Sequence, residues 1–203
     1  MLIKIWNVLP QYIQMIIIKV LLYKKYSKTK IEHWCFFKLS DIIYNRIHIG
    51  HYSFIWEKWK FLAGEKSNIT IGKYCSIASE VYIITYNHSY NHISHHINQW
   101  FENLNFNIKV KEKSVSIWND VWIWARCIIL PWVTIWDWAI IWAGSIVTKD
   151  VESYSIYAGN PAKRIKDRFS KKNRKYIESL HWWDWSNDKI IKNKKIFENE
   201  IID

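Results

Sequence analysis

The apolar positions of this chain advance in steps of six. Ile117, Ile123, Ile129, Ile135, Ile141 and Val147 follow one another without a slip. Four places after the first five stand Val121, Cys127, Val133, Ala139 and Ser145, all small or β-branched. The same step runs through Ile43, Ile49 and Ile55, with Ile47 and Ser53 four residues on, and through Ile71, Ile77 and Ile83, with Cys75 and Val81 in the small place. An α-helix repeats every 3.6 residues and a heptad every 3.5, so neither fits, and simple alternation leaves turns with no fixed spacing. A triangular prism fits. Each hexad is one short strand plus a corner, and three hexads close one coil of a parallel β-helix. The large aliphatic residue points inward, and the small one sits where the corner leaves little room. Coils stack through backbone hydrogen bonds, which makes the fold quasi-one-dimensional and leaves an end that needs a cap. The pattern predicts a mainly β domain over 31–160, broken by an excursion over 84–107. A C-terminal helical extension follows over 161–203, its short helices lying beyond Phe169, with Ser186 as N-cap of the last.

Ahead of the repeat, residues 1–30 read as a basic apolar helical segment. Lys4, Gln11, Gln14 and Lys19 interrupt its apolar run and Pro10 falls in the middle, so it is no spanning helix. Lys24 and Lys25 follow it directly with no small-residue cleavage site, unlike a secretory signal. Met15, Ile16, Ile17, Val20, Leu21 and Tyr23 put an apolar stripe on one side of a short helix. Two readings stay open: packing on this or a neighbouring subunit, or peripheral membrane contact through residues 1–25 at an anionic surface. The expected location is the cytoplasm, at the inner face of a membrane under the second reading.

The chain's 203 residues suit one domain with an appendage. Of its net charge of +11, residues 1–30 hold +6 and 161–175 hold +7, leaving the body slightly acidic. No basic stripe therefore crosses the repeat, and no nucleic-acid partner is expected. Cys35, Cys75 and Cys127 are odd in number and far apart, with no CxxC, which excludes a disulfide framework and fits a reducing compartment. The five glycines and fifteen tryptophans are out of proportion, since average usage gives about fourteen glycines in such a length. Gly50 and Gly72 follow inward aliphatic residues directly. In the long run the same place reads Trp118, Trp124, Trp136 and Trp142, with Trp56 earlier and Trp132 beside Pro131. Corners favour the backbone freedom of glycine, and an indole gives no relief at positive φ. Trp56, Trp59, Trp118, Trp124, Trp132, Trp136, Trp138 and Trp142 accordingly read as places where UGA codons encode glycine, as in some bacterial lineages. The alternative is an aromatic, sugar-stacking surface. Trp6, Trp34 and Trp100 stay undecided.

With those exchanges, Val115-Ser-Ile-Trp-Asn-Asp-Val-Trp-Ile-Trp-Ala125 resembles the V-x-I-G-N-D-V-W-I-G-A stretch of xenobiotic-type O-acetyltransferases, relatives of chloramphenicol and streptogramin acetyltransferases. Tyr157-Ala-Gly-Asn-Pro-Ala-Lys163 is similar to that family's closing motif. His181-Trp-Trp-Asp-Trp-Ser186 resembles its C-terminal W-W-D-W signature, so Trp122, Trp182, Trp183 and Trp185 read as genuine indoles. The resemblance spans roughly 45–200. It implies a left-handed parallel β-helix built as a homotrimer, with sites between subunits and acetyl passing from acetyl-CoA to a hydroxyl. It implies a catalytic histidine on the excursion, in a pattern like N-H-x(5)-S-T-x-P-F. Asn87, His88 and Ser94 match, whereas His95, His96, Ile97 and Asn98 depart from the rest, which puts the acceptor pocket in doubt more than the base.

Acetyl transfer to an alcohol needs a base for the hydroxyl proton. Imidazole, the side chain that titrates nearest physiological pH, suits the role. His88 enters the long excursion and is the candidate base; Asn87, Ser94 and Trp122 are candidate acceptor contacts. For the coenzyme, the candidates are Trp124, Ala125, Trp142, Ala143, Gly144, Lys149 and Asn160, with Lys163 and Arg164 for its phosphates. Lys166 to Lys175 read as a solvated basic face. His88, His92, His95 and His96 crowd together in the manner of metal ligands, as in a gamma-carbonic-anhydrase-like enzyme, but their spacing does not match that class well and no metal is expected. Cys75 and Cys127 read as packing residues. The favoured acceptor is a sugar hydroxyl of a surface polysaccharide or glycolipid; an antibiotic-like acceptor and a non-catalytic glycan-binding β-helix are the alternatives.

Overall fold

Strands of two to five residues, none able to stand alone, stack into three flat faces. The computed structural model describes residues 46–88, 91–93 and 111–201, with the backbone of three strands upstream. The first face holds Lys30–Ile31, Ile47–Ile49, Ile69–Ile71, Val115–Ile117 and Thr134–Ile135. The second holds Phe36–Phe37, Phe54–Ile55, Ser76–Ile77, Trp122–Ile123, Ile140–Ile141 and Ser155–Ala158. The third holds Asp41–Ile43, Lys60–Leu62, Tyr82–Ile84, Ile128–Ile129 and Ile146–Val147. The chain visits the faces in that order on every coil, and neighbouring coils pair in parallel. A single bridge from Ile135 to Val151 begins the last coil.

The six-residue step is the interior of this prism. Ile117, Ile123, Ile129, Ile135, Ile141 and Val147 are buried in one cluster with Val121, Cys127, Val133 and Ala139 in the small places. Ser145 and Ser53 are buried there too, and their hydroxyls donate to the backbone oxygens of Trp142 (2.5 Å) and Gly72 (2.7 Å). Hydrogen bonding is what makes a buried hydroxyl tolerable. Trp59 stands in one of the small places, beside Val81 and Cys127 of later coils, and is buried against Phe61 at 4.5 Å between ring centroids.

The corners differ from the sequence expectation. The residue directly after the inward aliphatic does not adopt positive φ; the third one does. Tyr52, Lys58, Tyr74, Glu80, Asp120, Arg126, Trp132, Trp138, Gly144 and Tyr154 all lie in the left-handed region. That residue turns the chain from one face to the next at these ten corners, whereas Gly64 and Asp150, third after Phe61 and Val147, hold the same place without positive φ. The indoles directly after the inward aliphatics turn away from the prism. Trp118, Trp124, Trp136 and Trp142 point outward, 37–50% exposed. Trp118 stacks on Trp136 at 4.9 Å and Trp124 on Trp142 at 5.9 Å.

The expected boundary at 161 falls inside a hairpin. Lys163–Asp167 returns antiparallel to Ser155–Ala158 and covers the open edge of the second face. Helices start only at α1 (Lys171–Leu180), followed by α2 (Asn187–Lys192) and α3 (Lys194–Glu198). Ser186 caps α2 and not the last helix. The Asn193 side chain donates to the Lys189 carbonyl and closes α2, so it does not cap α3. The extension folds back along the corner between first and second faces. Trp138, Tyr154 and Ile177 form a second buried cluster with Phe169 and Trp183 against it. Trp182 packs on Tyr74 at 4.5 Å, and the Tyr52 hydroxyl donates to Asn187 at 2.9 Å.

The expected helix within residues 1–30, together with Cys35, Trp6, Trp34, Trp100, Ser94, His95 and His96, lies outside the described residues. No helix among those described is long and apolar enough to cross a membrane.

Truncating Ile123 to alanine should cost about 2–5 kcal/mol, because a prism one side chain wide cannot collapse around the hole. Ile165→Ala, 61% exposed on the closing hairpin, should stay within about 0.5 kcal/mol. Urea denaturation of the two variants checks the contrast.

Candidate active site

The excursion leaves the third face at Ile84 on an antiparallel stalk. Tyr86–Asn87 pairs with Lys111–Glu112, with Tyr86 opposite Glu112 and Asn87 opposite Lys111. Asn87 and His88 are exposed at the end of the outgoing limb, and the Asn87 side chain accepts from the His88 amide at 2.8 Å. The root of the stalk is buried and polar. The Thr85 and Ser67 hydroxyls are 2.6 Å apart, and the Gly64 amide donates to Thr85 at 2.8 Å. Glu112 accepts from the Lys66 amide at 2.6 Å and from the Ser67 hydroxyl at 3.2 Å. Sequence reasoning missed this group. Its members are scattered over three segments, and no spacing announces them.

The candidate residues separate along the prism. Asn87 and His88 sit where the third face gives way to the first, and Lys149 sits at that same corner two coils later. Trp124, Ala125, Trp142, Ala143, Gly144 and Asn160 line the other end of the third face, where it follows the second. There the Gly144 amide donates to Ala125 and the Ile146 amide to Gly159. The strip is open: a side-chain carbon built on Gly144 meets nothing within 4 Å. Trp122 lies on the second face, stacked on Trp124 at 4.8 Å and away from His88. Lys163 is exposed on the closing hairpin. Arg164 beside it pairs with Glu152 at 3.1 Å and with Asp167, so its charge already has partners in this chain. One prism thus carries the candidate base and the candidate coenzyme strip at opposite ends of one face.

Other titratable groups have structural roles. Burial pushes the thiols of Cys75 up to about 12 and Cys127 up to about 11, so neither is a nucleophile near neutral pH. A groove of about 510 Å³ on the second face is lined by Phe54, Trp56, Tyr74, Asp120, Trp122 and Arg168, among others. Asp120 pairs there with Arg168 at 3.3 Å. Burial still pushes its carboxyl up to about 6, against the pull of that guanidinium. Among the described residues, no group of three or more His, Cys, Asp or Glu is placed to hold a metal ion.

Comparison with known proteins adds the following. A probable macrolide acetyltransferase of Lysinibacillus sphaericus is 38% identical over 163 residues, 74% of this chain and 82% of its own length. A chloramphenicol acetyltransferase of Klebsiella aerogenes is 34% identical over 135 residues, 60% of this chain and 62% of its own length, so the likeness spans about three-fifths of that protein. Among solved structures, a galactoside acetyltransferase in complex with coenzyme A superposes with a TM-score of 0.60 and 26% identity, over 76% of this chain and 72% of that one. No family model matches. With these relatives the coil is the left-handed parallel β-helix of hexapeptide-repeat acetyltransferases.

Asp120 carries a pH prediction. Its folded pKa of about 6 lies above the roughly 3.9 of an unfolded aspartate, so the native state holds the proton more tightly. Its contribution to stability is therefore fullest below pH ~4 and is lost as pH rises to ~6, about 3 kcal/mol in all. Unfolding free energies of the protein and of Asp120→Asn from urea denaturation should diverge by this amount in total across that window, the variant's profile being flatter. Parallel profiles would contradict the shift.

Proposed function

Because this chain belongs to the hexapeptide-repeat acetyltransferases of the xenobiotic type, we propose that it transfers acetyl from acetyl-CoA to a hydroxyl of a sugar or similarly small acceptor, with His88 as general base. It is an acyltransferase; donor, acceptor and base are the finer reading. The observation that carries this reading is the exposed Asn87–His88 pair, held on a stalk whose root is tied into the prism. The His88 imidazole takes the acceptor's hydroxyl proton as that oxygen attacks the thioester carbonyl. The tetrahedral adduct then collapses, the carbon–sulfur bond breaks, and the thiolate leaves and recovers the proton from the imidazolium. The thioester is activated already, so no enzyme nucleophile is needed, in keeping with the buried cysteines.

The open strip at Ala125, Ala143 and Gly144 suits an extended pantetheine arm, and exposed Lys163 suits a phosphate. The solved galactoside acetyltransferase holds coenzyme A, which supports the donor class. Base and strip lie at opposite ends of one face, so a complete site calls for a second prism alongside. We infer a homotrimer with three intersubunit sites. An acceptor on a surface polysaccharide or glycolipid would agree with residues 1–25 lying on an anionic membrane face. The antibiotic-like alternative is favoured by the macrolide and chloramphenicol acetyltransferases among the relatives.

His88→Ala should lower kcat by roughly 10²–10⁴-fold, the usual worth of a general base, while the KM for acetyl-CoA changes little. Thiol release with galactosides, amino sugars, chloramphenicol and a macrolide as acceptors measures it and ranks the acceptor classes. Undiminished turnover would exclude His88 as the base.

A further inference from the structure

The root of the excursion does more than close a loop. Thr85 begins the outgoing limb and Glu112 ends the incoming one, and both are tied to the same turn of the preceding coil. The Thr85 amide donates to Leu62 (3.0 Å), its carbonyl accepts from Lys113 (2.8 Å), and its hydroxyl meets both Gly64 and Ser67. The Glu112 carboxylate reaches the Lys66 amide and Ser67. Gly64 makes this approach possible. A side-chain carbon there would collide with the Glu112 carboxylate and stand 2.9 Å from the Ser67 hydroxyl. Ser67 and Thr85 are buried, so an unmet partner would go without water. We propose that Glu112, Ser67 and Thr85 are positioning residues that set the angle of the stalk and hence the place of His88.

This rests on the His88 reading, and the test separates the two. Glu112→Ala should lower kcat about tenfold or more, since small misplacements of a reacting group are costly, with the KM for acetyl-CoA unchanged. Glu112→Gln, whose amide oxygen still accepts from Lys66, should recover most of the loss. Hydrogen exchange at the amides of residues 86–88 should quicken in Glu112→Ala and in Gly64→Ala. Unaltered exchange in both variants overturns the proposal, whatever His88→Ala does to turnover. Faster exchange with inert His88→Ala keeps the clamp and refutes only the base.

A separate observation concerns the exposed indoles. Gly50, Gly72, Trp118 and Trp136 hold one backbone place on successive coils. Each donates its amide to the next coil, at 2.8, 2.8, 2.8 and 3.0 Å. At the two glycines that place has no room for a side chain. A carbon on Gly50 would lie 2.6 Å from the carbonyl carbon of Gly72, and one on Gly72 would lie 2.7 Å from that of Trp118. The equivalent column at the next corner reads Trp56, Ala78, Trp124, Trp142 and Ala158, again small wherever it is not tryptophan. Trp132 follows Pro131 in a turn with φ of 74°, and proline followed by a left-handed residue is the turn that glycine fills at least steric cost. Trp138 is different. Its left-handed place is shared with Tyr52, Tyr74, Asp120 and Tyr154, and its ring packs on Tyr154 and Trp183 at 4.4 and 4.3 Å.

We infer that in the organism's own protein Trp118, Trp124, Trp132, Trp136 and Trp142 are glycine, inserted at UGA codons, so that the prism carries bare backbone at these places and no stacked aromatic ladder. The gene's codons, together with peptide masses of the protein purified from its source, test this. The expected result is UGA and glycine mass at these five positions, with UGG and tryptophan mass at 182, 183 and 185. UGG at 118 and 136, or tryptophan in those native peptides, overturns it and leaves an exposed aromatic ladder of the kind that stacks on sugar rings.

Discussion

Everything in this molecule hangs on the backbone hydrogen bonds between coils. Each strand is too short to be stable by itself; the amides of Gly72, Trp118 and Trp124 reach the coil that follows, while those of Tyr74, Asp120 and Arg126 reach the coil before. Once that register is set, the third residue after most inward aliphatics turns left-handed, whatever its type. Tyr52, Lys58, Glu80 and Arg126 accept that conformation, although none is a residue that favours it. The stacked interior and the ladder of amides outweigh the local strain because both repeat at every hexad.

The same constraint positions the chemistry. A prism offers only its edges and its excursions for function, since its faces are committed to pairing and its interior to packing. His88 stands on an excursion, and the open strip at Ala143 and Gly144 stands on an edge. The third face separates them, which is why the proposed site calls for a second prism alongside. The C-terminal extension acts as the edge cap such a fold requires. Its hairpin covers the last coil, and its tryptophans reach back along one corner as far as Tyr74.

The inward residues were legible in the sequence because period and burial have a single cause. Ile117 to Val147 point inward as the spacing requires, and Cys127 and Ser145 fill the small places. His88 could be singled out because it enters the segment where the period lapses. Corner geometry was not legible. Residue type did not mark the left-handed place, since tyrosine, lysine and glutamate fill it as readily as glycine. The Thr85–Ser67–Glu112 group was invisible as well, for its members come from a strand end, a turn and the far limb of an excursion.

The sequence by itself therefore determined the coil, the interior and the point at which the chain departs from the prism. These follow from a local hydrophobic period, and such a period is written along the chain. Only the tertiary structure decided which corner residue turns, how the excursion is rooted, and which indoles stand outside and which pack within. Trp118 and Trp138 follow inward isoleucines, one directly and one at the third place, yet one points to solvent and the other is buried against Tyr154. What separates them is the neighbour each meets on the next coil and in the returning extension, and that contact exists only after the chain has wound around itself.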